Sequence, residues 1–192
     1  MKKLSNIFEY NSPVVLTFSL LAALVFILDK IIPIGLIHNF FVYFGGTSSL
    51  DFVRLFLWPL GHGSTDHLLG NMTLILLIGP MIEEKYSSKI LLMLMVVTTL
   101  VIGVIQALFV SGGILGASGI VFMMIILTSF TNMKEGKIPL TFVAIAFLFL
   151  GKEIYNGLFL NNNVSEMGHI LGALVGISFV LIDKKLDRSI GM

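Results

Sequence analysis

Residues Ile90 to Val110 read ILLMLMVVTTLVIGVIQALFV, a run without one charged side chain. At about 1.5 Å of rise per residue such a helix is about 30 Å long, the thickness of a bilayer's hydrocarbon core. The run is therefore expected to be a membrane span, and the rest of the chain reads the same way. Across 192 residues, 56% are hydrophobic and 12% charged, and the mean hydropathy is +0.99. Soluble domains carry about 25% charged residues, so a water-soluble fold is excluded. A net charge of +1 and the lack of a basic stripe interleaved with aromatics exclude a nucleic-acid partner. Without cysteine there is no disulfide, thiol nucleophile or thiolate metal site, so any catalysis must run on oxygen and nitrogen.

Working outward from Ile90–Val110, five further apolar runs are separated by charges or turns. The expected spans are about 13–28, 64–82, 90–110, 114–131, 138–150 and 167–182, with the turn Ser111-Gly112-Gly113 between the third and fourth. The first follows Lys2 and Lys3 as a secretory leader does, but no small-x-small cleavage site precedes Asp29, so it is read as a retained helix. The stretch Lys30 to Leu60, rich in Gly and Phe, is too long for a tight connection and too apolar for a solvated loop, and is expected to lie on the bilayer. Basic residues fall on alternate sides of this map: Lys2, Lys3, Lys85, Lys89, Lys134, Lys137, Lys184, Lys185 and Arg188, nine of the twelve, share one side. The positive-inside rule makes that side cytoplasmic, with both termini there. The fold class expected is an all-α integral membrane protein, a bundle of six transmembrane helices forming a single domain over residues 1–192.

Polar groups inside membrane helices are costly, which makes them functional candidates. His67 and Asn71 in His67-Leu68-Leu69-Gly70-Asn71 are four apart, on one face of the second helix. Ser118 stands in Gly116-Ala117-Ser118-Gly119 at the start of the fourth, and His169 opens the sixth in Gly168-His169-Ile170-Leu171-Gly172. The starts of helices two, four and six all lie at the outer face, so these groups share a leaflet. Gly168, Gly172 and Gly176 form a small-xxx-small stripe, and Gly116 and Gly119 thin the fourth helix, so the two helices can approach closely. If those faces meet, the His169 imidazole can take the Ser118 proton. No acidic residue lies within the last three spans to orient that histidine, which points to a Ser-His dyad. Free N–H groups at a helix start, with His67 and Asn71, are ready donors for an oxyanion.

Each feature also has a plainer reading. Gly-x-Ser-Gly in a membrane helix is more often packing than chemistry. His38 and His62 read as anchors in the headgroup region, and Asn71 alone would only bond a neighbouring helix. Metal ligation by His62, His67 and His169 is disfavoured, because no His-Glu-x-x-His and no carboxylate in helix register accompany them. No metal and no cofactor is expected. A small transporter is disfavoured by the absence of an ionisable pair at the midplane and of an inverted repeat.

Taken together, the residues resemble the rhomboid family of intramembrane serine proteases, whose pattern is His-x-x-x-Asn on the second helix, Gly-x-Ser-Gly on the fourth and His within a glycine stripe on the sixth. Arg54 is similar to the arginine of the family's Trp-Arg pair in the first loop, and Glu83 to its acidic residue at the end of the second helix. The resemblance implies Ser118 as nucleophile, His169 as general base and then acid, and His67, Asn71 and the Ser118 N–H as oxyanion stabilisers. It implies a membrane-embedded first loop and a gate formed by the fifth helix with Tyr155 to Ser165. Implied partners are transmembrane segments of other proteins, in a bilayer that is expected to be a bacterial plasma membrane. Three positions depart from the pattern. Val53 replaces the Trp of the loop pair, Leu115 a frequent Gly, and Phe122 a Tyr that stacks on the catalytic His. An inactive, helix-capturing relative is the alternative, and inactive members typically lack the Ser or the His that this chain retains.

Overall fold

A computed structural model describes residues 9–130, 137, 140–145, 147–148 and 166–190. Its elements are α1 (Pro13–Ile31), α2 (Leu36–Phe40), α3 (Ser49–Leu57), a 3-10 turn (Trp58–Leu60), α4 (Thr65–Tyr86), α5 (Ser88–Phe109), α6 (Ser118–Phe130), α7 (Leu140–Ile145) and α8 (Glu166–Ile190). Among the described residues α1, α4, α5 and, from Glu166 to Asp183, α8 are long and apolar enough to cross a membrane, while α6 is a shorter apolar helix. These helices fall on five of the six runs read from the sequence. Of the run expected at 138–150, α7 covers 140–145 and residues 147–148 are also described, while its other residues lie outside the described residues, as do Lys134 and the segment from Tyr155 to Ser165.

α6 is the hub. From Gly119 to Leu127 every residue is buried, and the helix packs against α4 and, most extensively, α8. By contrast α1 buries only Val15, Ser19, Ala22 and Phe26, a stripe of one residue per turn, and leaves Leu20, Leu21, Leu24 and Ile27 exposed. Outward apolar faces of this kind are stable only against lipid. Pro13 opens α1, and the carboxylate of Glu83, buried near the far end of α4, accepts hydrogen bonds from the Val14 and Val15 N–H groups at 3.0 and 3.1 Å. Helix-start N–H groups lack intrahelical partners and favour negative charge, so this acid caps a helix other than its own. Gly79 brings the two helices together, since a Cβ there would stand 2.7 Å from Val15.

Several sequence-based boundaries shift. α1 runs to Ile31 and α4 to Tyr86, past the ends expected at about 28 and 82, and the rest of the stretch up to Leu60 is broken into α2, α3 and the 3-10 turn. Arg54 ties it together: Nη1 bonds Asp51 Oδ1 at 2.8 Å, while Nε and Nη2 both donate to the Asn39 carbonyl. Val53, in the place of the expected tryptophan, is half-exposed. The fourth span begins at Ser118, four residues later than expected from its apolar run at 114. Ile114 instead exchanges backbone hydrogen bonds with Tyr43 at 2.9 and 3.0 Å, and the Gly116 N–H donates to the Trp58 carbonyl at 3.0 Å. Gly116 turns the chain into α6 with φ +102°, a conformation that L side chains resist. Apolar composition alone cannot distinguish such a bridged loop from a helix start.

Candidate active site

The loop before α6 and the first turn of α8 close on one another. Ser118 is the first residue of α6, and its Oγ lies 2.7 Å from His169 Nε2, although 51 residues separate them in sequence. Glycines make the approach possible. A Cβ on Gly172 would collide with the carbonyl of Gly119, and one on Gly176 would stand 2.9 Å from the Met123 carbonyl oxygen. The imidazole is buried and stacks on Phe122, with ring centroids 4.5 Å apart and planes 3° from parallel. In the direction proton abstraction needs, the Ser118 O–H donates and Nε2 accepts. α8 begins one residue earlier than the apolar run, which places Glu166 one turn before His169. Glu166 Oε1 is buried and makes no hydrogen bond among the described residues, and the other acid of this apolar span, Asp183, stands at its far end.

Ser118 and His169 share a cavity of about 300 Å³ with His67, Leu115, Trp58 and Gly168. Ser64 caps α4 through the His67 N–H at 3.2 Å, so His67 projects from the first turn. Its ring lies against Gly116, where a Cβ would stand 2.5 Å from Nε2. Gly116 therefore leaves room for an imidazole beside the peptide that leads into Ser118. Leu115, standing where a glycine was expected, lines the cavity. Asn71 is one turn further along α4 and buried.

His62 is the residue that sequence reasoning missed. Expected as a headgroup anchor, it is 1% exposed. Its Nδ1 lies 3.3 Å from the Leu60 carbonyl oxygen, its Nε2 lies 3.1 Å from Asn71 Nδ2, and its ring meets that of His67 edge-on at 5.0 Å. Burial first, and then the neighbouring His67, push its pKa down to about 4, so the ring is neutral near pH 7. The available signal was spacing: His62 stands five residues before His67 and nine before Asn71. Only the fold of the 3-10 turn shows that the connecting chain doubles inward. His38, by contrast, is exposed as expected, with Phe44 edge-on at 5.9 Å.

This geometry can support acyl transfer. A hydroxyl is paired with an imidazole, the hydroxyl-bearing residue starts a helix, and two further polar side chains stand on the adjoining helix. Comparison with known proteins points the same way. The family model for the Rhomboid domain matches residues 49–185. The chain is 31% identical over 143 residues to the rhomboid protease GlpG of Haemophilus influenzae, an alignment covering 68% of this chain and 69% of that protein.

Proposed function

The chain belongs to the rhomboid family of intramembrane serine proteases, and on that premise we propose that Ser118 and His169 form its catalytic dyad within a six-helix membrane domain. The observation carrying this reading is the 2.7 Å contact between Ser118 Oγ and His169 Nε2, beside a cavity that also admits His67. His169 Nε2 takes the Ser118 proton as Oγ attacks the scissile carbonyl carbon. The carbonyl oxygen becomes an oxyanion held by the Ser118 N–H, His67 and Asn71. As the C–N bond breaks, His169 returns the proton to the leaving amine, and an ester to Ser118 remains. Water, deprotonated by His169, attacks that ester and restores the serine.

The proposed topology places both termini in the cytoplasm and the dyad toward the outer leaflet, with the segment from α2 to the 3-10 turn embedded in that leaflet. The proposed substrate is the transmembrane segment of another protein in a bacterial plasma membrane, cut near its outer end. A regular helix shields its backbone carbonyls, so attack requires local unwinding. Gly or Pro near the scissile bond lowers that cost by about 1 or 3 kcal/mol relative to Ala. The fifth helix and Tyr155 to Ser165 are proposed as the gate.

Labelling of the purified protein with a serine-directed fluorophosphonate tests the dyad. Wild type is expected to label and Ser118→Ala not to; label on Ser118→Ala would falsify the assignment. Orientation is tested separately with an impermeant thiol reagent on intact cells, where Lys85→Cys is expected to stay shielded and Asn162→Cys to react. The opposite pattern would put the dyad at the wrong leaflet.

A further inference from the structure

His62 contributes no atom to the cavity lining, yet it is among the most deeply buried polar side chains described. Its two hydrogen bonds fix its chemistry. A carbonyl oxygen only accepts, so Nδ1, 3.3 Å from the Leu60 carbonyl, must carry the proton. In the neutral ring Nε2 is then a bare lone pair. The only groups on Asn71 able to bond that lone pair are its amide hydrogens, so the contact at 3.1 Å sets which end of the carboxamide faces His62. An amide nitrogen has two hydrogens. One is engaged by His62, which leaves the second to project from the same nitrogen, while the carbonyl oxygen is turned to the other side of the group. Without the lone pair of His62, the carboxamide could rotate by half a turn at little cost and bring its oxygen to where its nitrogen had been. An oxygen aimed at a developing oxyanion repels it, whereas an N–H stabilises it.

We propose that His62 is a positioning residue that locks the Asn71 carboxamide with its N–H available to the transition-state oxyanion. The relay runs from the Leu60 carbonyl through Nδ1–H and Nε2 of His62 to Asn71. It begins in the 3-10 turn, outside α4, so the loop before the helix holds a donor that lies inside it. This inference rests on the reading of Asn71 as an oxyanion donor, and the experiment separates the two.

The test is a double-mutant cycle on the full-length protein in detergent or proteoliposomes, with kcat, KM and thermal midpoint measured for each variant. His62→Phe keeps the ring and its packing but removes the acceptor. His62→Gln retains an acceptor oxygen at the reach of Nε2. His62→Phe is expected to lower kcat by about ten- to a hundredfold with KM little changed, the range found when the hydrogen-bond partner that orients a metal ligand is removed. His62→Gln should recover most of the rate, and in an Asn71→Ala background His62→Phe should have no further effect. A slow Asn71→Ala whose loss simply multiplies with that of His62→Phe would overturn the proposal while leaving Asn71 as a donor. A kcat for His62→Phe equal to wild type would do the same. An Asn71→Ala with unaltered kcat would instead remove the oxyanion reading, and the proposal with it. Should the Phe variant fail to fold, His62→Asn, polar but too short to reach Asn71, takes its place in the cycle with the same deciding outcomes.

Discussion

On one side of the cavity α6 and α8 meet through bare backbone, with Gly172 against the carbonyl of Gly119 and Gly176 against that of Met123, and the Ser118–His169 bond follows from that approach. On the other side the polar residues of α4 and the preceding loop are held by hydrogen bonds: Ser64 on the His67 N–H, and His62 between Leu60 and Asn71. The first wall depends on steric room and has no tolerance for added atoms. The second depends on donors and acceptors, and tolerates changes of shape that keep them. In a membrane this division has a cause. Lipid offers helices no hydrophobic reason to associate, so they join by close packing or by satisfying polar groups that lipid cannot.

Removing either proposed reacting group of the first wall should have the largest effect. Ser118→Ala and His169→Ala are each expected to abolish cleavage of a model transmembrane substrate while the protein still inserts and folds. Substantial turnover by purified Ser118→Ala would break the comparison at its root, because the reacting pair would then lie elsewhere. On the second wall, His67→Ala and Asn71→Ala should lower kcat more than they raise KM. Loss of one oxyanion donor costs about 2.7–4 kcal/mol, or roughly a hundred- to thousandfold. The proposal gives the wall two side-chain donors, so a smaller single effect with a larger double effect would show that they share the load.

The steric side is sharpened by a pair of glycines. Gly172→Val drives a side chain into Gly119 and should push α8 from α6, cutting activity about a hundredfold or more, as a misplacement of about 1 Å does, and lowering the thermal midpoint. Gly70→Ala, with nothing within 4 Å of the added atom, should leave activity unchanged and hold or raise the midpoint, because Ala is favoured over Gly in a helix interior. Equal losses at the two positions would mean that room at Gly172 is not what lets α8 approach α6. The smallest effect belongs to the ring stacked on His169. Phe122→Tyr should be nearly silent, and Phe122→Leu should cost about 0.5–1.5 kcal/mol of activation free energy, the range for an aromatic pair beyond its area. Kinetics on the two variants would settle this, and a Leu variant as fast as wild type would leave the stack no part in catalysis.

What the sequence determined by itself was whatever depends on sums over neighbouring residues. Hydropathy over about twenty residues is local, so Ile90–Val110 declared a membrane span in isolation, and a serine or histidine inside such a run is conspicuous because its burial is costly wherever it packs. The glycine stripe at Gly168, Gly172 and Gly176 likewise announced a close-packing face from its spacing, with the glycines of the fourth span as its candidate partner. Tertiary structure alone decided the contacts. Only the meeting of α6 with α8 brings Ser118 to His169 across 51 positions. The bridge from Ile114 to Tyr43 turned four apolar residues from helix into loop, which made Ser118 the first residue of α6. His62 shows the limit most plainly. Beside a membrane span its composition reads as a surface anchor, and it became a buried acceptor for Asn71 because the 3-10 turn at Trp58–Leu60 folds the chain inward. That turn is held by backbone bonds such as Gly116 N–H to the Trp58 carbonyl, and backbone groups are the same at every residue, so no local sum over side chains could have shown it.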